Sequence, residues 1–184
     1  MNIQMADDED VFEKLIAPVE RQMMRTIWRV VRHDQMAEDT LQETLAVIWE
    51  KRNRVRKHPN PRALILKICL DCAYDALRKK KRQNRLQGEV KSAAAGVLTR
   101  NDASHNLEKK HVESEILRSI GRLSRNQAVA VLMRIVQEQS YETIAEVMGC
   151  SQATARIHVL RGRKRLSRWL APLYYSSYEE SKNG

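Results

Sequence analysis

The chain has 184 residues, enough for one or two small domains, and carries 33 Lys and Arg against 23 Asp and Glu, a formal net charge of +10. That excess of cations points to a polyanionic partner, nucleic acid first and a membrane surface second. No run of about 18 apolar residues is present to cross a membrane, and the acidic opening at Asp7, Asp8 and Asp10 is unlike a secretory signal. Three cysteines, Cys69, Cys72 and Cys150, argue against a disulfide framework, so the expected location is the cytoplasm.

From the start, Phe12, Leu15, Ile16, Val19, Met23, Ile27, Val30 and Val31 keep helical spacing, with Pro18 at a kink or a helix start. The pattern breaks over residues 33–36, and a new helix opens near Ala37 with Leu41, Leu45, Ile48 and Trp49 on its buried side. Its outer side is acidic. Asp39, Glu43 and Glu50 fall within about 40° of one another on the helical wheel, with Gln42 at the edge. Such a strip is either a solvated face or a docking surface for a basic protein.

Residues 53–61, rich in Asn, Arg, Lys and His and holding two prolines, read as a loop, and the next helix spans about residues 62–81. Ile65, Ile68, Cys69, Cys72 and Ala76 point inward, while Lys67, Asp71, Tyr74, Arg78 and Lys81 share the outer face. An aromatic ring between cations suits a melted nucleic-acid strand, because bases stack on the ring while the cations follow the backbone. The run Arg78, Lys79, Lys80, Lys81, Arg82 adds charge to that end. Cys69 and Cys72 form a C-x-x-C on the inward stripe, which makes them core thiols; a zinc site needs two further ligands that the spacing does not offer. Residues 83–111 lose apolar periodicity and gain Gly, Ser, Asn and Ala, the composition of a flexible linker with at most a transient helical piece.

Beyond the linker, Ile116, Leu117, Ile120 and Leu123 make a short helix, Ser124 can cap the next, and Ala128, Val131, Leu132 and Ile135 continue it. Residues 140–165 then read as helix, three-residue turn and helix. Ile144, Ala145 and Met148 face inward, Gly149 supplies a residue free to take positive φ, and Ser151 can cap the second helix. On that helix Ala155, Val159, Gly162 and Leu166 pack inward; Ala153, Ile157, Leu160 and Lys164 run along the opposite face, flanked by Arg156 and Arg161. This is the build of a DNA-reading helix-turn-helix. Arg156 and Arg161 are the candidates for guanine edges, and Arg163, Lys164, Arg165 and Arg168 for phosphate. Ile157 and Leu160 either touch thymine methyls or pack under another helix. After Pro172 the tail has no core to join.

Together these motifs resemble the bacterial RNA polymerase sigma factors of the extracytoplasmic-function class. Ala37-Glu38-Asp39-Thr40-Leu41-Gln42-Glu43-Thr44 followed by Trp49 is similar to region 2.2; Pro61-Arg62-Ala63-Leu64 through Asp75-Ala76-Leu77-Arg78 resembles regions 2.3 and 2.4; residues 123–166 resemble region 4. The resemblance implies an all-α fold of two small helical domains joined by a flexible linker, the C-terminal one containing the helix-turn-helix: region 2 over residues 1–82, the linker over 83–111, region 4 over 112–172 and a mobile tail over 173–184. Its partners would be core RNA polymerase, through the clamp helices of the largest subunit and the flap, and promoter DNA, with an anti-sigma protein as a further partner. Asp39, Gln42 and Glu43 would bind polymerase. Lys67, Asp71, Tyr74, Arg78 and Lys81 would hold the melted −10 element. Ser151, Ala153, Thr154, Arg156, Ile157, Leu160, Arg161 and Lys164 would read the −35 duplex.

Two positions depart from the family pattern: Leu64 stands where Trp is usual, and Asp71 where Asn is common. A carboxylate in place of an amide loses donors and repels phosphate, so Asp71 either favours a base that offers an amino group, such as cytosine or adenine, or does not contact DNA. Neither catalytic residues nor a cofactor are expected, since no phosphate-cradling loop, metal quartet or nucleophile set is visible. The alternatives are a stand-alone dimeric helix-turn-helix regulator of duplex DNA, and a thiol or zinc switch built on Cys69 and Cys72.

Overall fold

Proline cannot donate a backbone hydrogen bond, and Pro18 accordingly divides the entry to the fold. A π-helical turn, Phe12–Ile16, gives way to a 3-10 turn, Ala17–Val19, that carries the proline in its opening positions, and α1 (Glu20–Val31) comes next. The computed structural model describes the backbone of residues 12–91 and 104–180 and the side chains of residues 13–83 and 112–173. The acidic start, the Phe12 side chain, the middle of the linker and residues 181–184 lie outside the described residues.

α1 buries Met23, Ile27, Val30 and Val31 and stops at Arg32, whose left-handed φ of 50° lets its N–H donate to Trp28 O at 2.9 Å. α2 (Asp34–Glu50) opens with the His33 ring, where Nδ1 accepts from the Met36 amide at 3.3 Å. Its buried face differs from the expected one. Ala37, Thr40, Thr44 and Ile48 point inward, Leu41 and Leu45 are half-buried, and Trp49 is 41% exposed with Arg52 over its ring. The two threonines fit a core because each hydroxyl donates to the carbonyl four residues back, Thr40 to Met36 at 2.6 Å and Thr44 to Thr40 at 2.7 Å.

The expected loop contains a short helix, α3 (Arg52–Arg56), that buries Val55. α4 (Pro61–Lys91) starts where Asn60 Oδ1 accepts from the Ala63 amide at 3.0 Å, with Pro61 ready-shaped for the first turn. The helix is longer than the apolar periodicity indicates. It is also buried on two sides: besides Ile65, Ile68, Cys69 and Cys72, which pack on α1 and α2, a second stripe of Leu66, Leu70, Ala73 and Leu77 is covered. That second stripe recurs at i, i+4, i+7 and i+11, rotated by about 100° from the first.

The C-terminal unit covers it. α5 (Ser104–Ile120) and α6 (Arg125–Ile135) lead into α7 (Tyr141–Met148) and α8 (Gln152–Glu180), which runs through Pro172 beyond the expected end. Ser124 stands at the start of α6, but its hydroxyl makes no capping bond; the backbone carbonyl accepts from Ala128 instead. All described secondary structure is helical, in two helical units whose buried residues form one cluster.

Polar contacts fasten the two units. Tyr74, 1% exposed, donates its hydroxyl to Leu123 O at 2.5 Å, and Gln137 Nε2 donates to Leu66 O at 3.1 Å. Arg125 forks onto two carboxylates, Asp71 at 3.1 Å and Asp75 closer still. Partial burial works against the Arg125 charge, but the bond to Asp75 and the fields of Asp75 and Asp71 more than offset it and raise its pKa. Asp71 also pairs with Lys67 at 2.6 Å. Because the Arg125 side chain is 47% exposed, its ion pairs contribute modestly, on the order of 1 kcal/mol or less.

The contacts between and within the units can each be tested. Arg125→Glu sets three carboxylates together and should open the pair of units, seen as a larger radius of gyration in solution scattering; restoring attraction with Asp75→Arg in the same chain should reverse it, and an unchanged radius in both variants would show that the pair does not hold the units. Within the C-terminal unit, a Cβ built on Gly162 would lie 2.5 Å from Val131 Cγ2 and 3.3 Å from Gln127 O. Gly162→Ala should therefore destabilise the unit by about 1–2 kcal/mol in urea unfolding, overpacking outweighing the gain of about 1 kcal/mol in helix propensity.

Candidate nucleic-acid interface

The α7–turn–α8 unit is fixed by local bonds at each end. Ser140 Oγ accepts from the Thr143 amide at 3.0 Å to start α7, and Ser151 Oγ accepts from the Thr154 amide at 3.1 Å to start α8. Between them Gly149, at φ 64°, allows the Cys150 amide to turn back and donate to Ala145 O at 3.0 Å, so the last turn of α7 leaves few orphan carbonyls. The expected inner residues Ile144, Ala145, Ala155, Val159 and Gly162 are buried, and Met148 and Leu166 are half-buried.

On the outer face, Ser151, Ala153, Arg156, Ile157, Leu160, Arg161 and Lys164 are exposed, and Thr154 is half-buried beside its cap. Ile157 is 44% and Leu160 67% exposed, so among the described residues no further helix covers them. Arg156 is aimed by a neighbour that the sequence pattern did not bring forward: its guanidinium lies 5.0 Å from the centre of the Tyr141 ring, which Arg134 approaches at 5.1 Å. A stacked guanidinium keeps its in-plane donors free for a base edge. The signal was an aromatic residue at the first position of α7. Arg165 behaves differently from its neighbours, since its Nη1 donates to Gln127 Oε1 at 3.1 Å and ties α8 to α6.

The second candidate face, Lys67, Asp71, Tyr74, Arg78 and Lys81, is not an open platform. Only its far end is exposed, at Arg78 and Lys81; Lys67 and Asp71 are half-buried in their ion pair, and Tyr74 is core. The physical reason is the second apolar stripe, which draws the C-terminal unit onto the same side of α4. Arg78 still lies over the Tyr74 ring, at 5.8 Å.

Asp39, Gln42 and Glu43 are exposed along α2, as is Glu50. Asp39 and Glu43 border an open groove of about 980 Å³ whose other wall is the cationic end of α4, Arg78 to Arg82. The acidic strip thus keeps one side to solvent and one to a basic wall. Cys69 and Cys72 are buried, and burial, the largest cause in each, pushes the Cys69 thiol well above the ordinary cysteine range and raises that of Cys72. Thiolate is scarce there, which disfavours thiol chemistry or metal ligation at this pair.

The described residues hold no helix long and apolar enough to cross a membrane. Two family profiles match the chain: Sigma-70 region 2 over residues 15–83 and Sigma-70, region 4 over residues 113–166. Across 168 residues it is 29% identical to RNA polymerase sigma factor CarQ of Myxococcus xanthus, covering 90% of this chain and 92% of that protein. It is 23% identical to the RNA polymerase sigma-H factor of Pseudomonas aeruginosa over 173 residues, 90% of this chain and 89% of the relative. In fold it is similar to the sigma factor RpoE from Bartonella quintana, solved in complex with the anti-sigma factor NepR: TM-score 0.52, 23% identity, 88% of this chain and 98% of that one. The chain belongs to the sigma-70 family of RNA polymerase sigma factors, in the extracytoplasmic-function arrangement of regions 2 and 4.

Proposed function

We propose how this sigma factor, which directs core RNA polymerase to promoters, divides that work among its residues. Residues 1–82 act as region 2 and residues 112–172 as region 4, joined by the linker 83–111 and followed by the tail 173–184. α8 enters the major groove of the −35 element, where Arg156 and Arg161 meet guanine edges, Ile157 and Leu160 meet thymine methyls, and Lys164 with the capped residues Ser151, Ala153 and Thr154 settles the helix on its site. The observation that carries this reading is the uncovered outer face of α8, cationic and apolar together on a helix whose start is locked by Ser151. Asp39, Gln42 and Glu43 supply an acidic edge for the clamp helices of polymerase, and region 4 meets the flap.

The −10 element belongs to α4, but in the free chain its middle is occupied. Tyr74 and Asp71 can reach a melted base only after Leu123 and Arg125 withdraw, whereas Arg78 and Lys81 are exposed from the start. Polymerase binding through the exposed acidic strip therefore comes first, and separation of the two units comes second. The chain itself makes and breaks no bonds and works in the cytoplasm, with no cofactor; an anti-sigma protein is a further partner.

Added to core polymerase, the protein should yield a run-off transcript from promoters chosen by genomic enrichment; none from any of them would contradict the reading, and tight specific operator binding by the free chain would favour a stand-alone regulator. In the same assay Arg161→Ala should weaken −35 recognition by about 1–3 kcal/mol with polymerase affinity intact. Asp39→Lys or Glu43→Lys should do the reverse, lowering polymerase affinity while leaving −35 recognition in place. Equal effects on both steps would refute the division of labour.

A further inference from the structure

Arg21, Arg25 and Arg29 stand on one side of α1 at i, i+4 and i+8, a rise of about 6 Å and a turn of about 40° from each to the next. Arg62, in the first turn of α4, joins them by donating twice to Gln22 Oε1, at 2.6 and 3.1 Å. The four guanidiniums border one surface cavity of about 360 Å³, and no carboxylate lines it. All four are exposed.

Their partners are of one kind. Arg62 is held by an amide oxygen, Arg29 donates to the Val136 carbonyl of the C-terminal unit at 3.0 Å, and none of the four makes an ion pair among the described residues. Arg125, by contrast, is matched by two carboxylates. A guanidinium whose acceptors are neutral gains when an anionic oxygen replaces them, since charge-assisted bonds are shorter and about twice as strong. Three such groups along α1 and a fourth at the start of α4, with no carboxylate lining the cavity they border, fit a chain of phosphates rather than a single anion.

We propose that Arg21, Arg25, Arg29 and Arg62 form a phosphate-binding strip for the single strand of the opened promoter, continuing from the −10 face of α4 across α1. The inference rests on the sigma-factor reading and extends it. Position selects the occupant: Arg62 comes directly after Pro61 at the beginning of the helix assigned to the melted element, so a strand leaving α4 at that end meets α1 next. The Val136 carbonyl that engages Arg29 in the free chain belongs to the unit that must withdraw before Tyr74 and Asp71 are reached, so Arg29 and the −10 face become free in one movement.

The test compares three chains, each assembled with core polymerase: wild type, Arg21→Gln with Arg25→Gln, and Arg21→Lys with Arg25→Lys. Affinity is measured against salt for a promoter fragment left single-stranded downstream of its −10 element. The Gln variant should show a log affinity against log salt slope shallower by about 0.7 for each arginine removed, while the Lys variant keeps the wild-type slope. Affinity for core polymerase should be the same in all three. A Gln variant with the wild-type slope would overturn the strip. So would a Gln variant with a normal slope but weaker polymerase binding, which would make the row a docking surface for an acidic protein. Wild type that fails to bind the fragment in the presence of polymerase would overturn the sigma-factor reading itself, and the strip with it.

Discussion

The arrangement of this protein depends on one helix that is apolar on two sides. α4 offers Ile65, Ile68, Cys69 and Cys72 to α1 and α2, and Leu66, Leu70, Ala73 and Leu77 to whatever can cover them. Water is a poor cover for a stripe of that length, so the second unit takes the place. Tyr74 completes the seal, its ring among apolar neighbours and its hydroxyl on the Leu123 carbonyl, which spares a buried polar group the loss of a partner. A residue used in this way cannot also be a stacking surface for a base. On the proposed role of α4 the chain has at least two arrangements, one that satisfies the core of α4 and one that satisfies DNA, and ligands act by shifting the balance between them.

Charge is distributed so that the two arrangements compete on unequal terms. In this arrangement the carboxylates Asp71 and Asp75 are answered by Arg125, while Arg29 of α1 and Arg62 of α4 receive only neutral oxygens. Separating the units would break a pair that is half in solvent and therefore weak, and would release the Arg29 guanidinium from the Val136 carbonyl. Moderate salt screens the first of these. The apolar contact across α4 is the part that salt does not weaken.

Much of the C-terminal unit was legible in the sequence because its instructions are local. Ser140, Gly149 and Ser151 mark ends and turn within a dozen residues, and Ala155, Val159 and Gly162 mark the inner face of α8 within two turns. Apolar periodicity gives α4 one buried face, because a single repeat defines a single inside. The stripe through Leu66, Leu70, Ala73 and Leu77 is equally periodic, but its cover lies some fifty residues away, as the Tyr74 bond to Leu123 illustrates. The inner face of α2 was misplaced for a different reason. Thr40 and Thr44 look polar until their hydroxyls are paired with backbone carbonyls, and only then do they become core residues and leave Trp49 outside.

The closed form also treats the two proposed DNA readers differently. It hides the middle of α4 but leaves the outer face of α8 bare, with Leu160 among the most exposed apolar side chains of the described residues. A major-groove reader that is always available, beside a strand-binding face that is covered, gives the free chain half of its recognition at most. One duplex contact of this size, resting on a few arginines and phosphate contacts, binds weakly at physiological salt. Joining it to a second contact through a common scaffold raises the effective concentration of each for the other, a gain that vanishes when geometry forbids both at once. Closure forbids both at once. On the proposed division of labour, the apolar stripe that stabilises the free protein also keeps it off promoters until polymerase holds the two units apart.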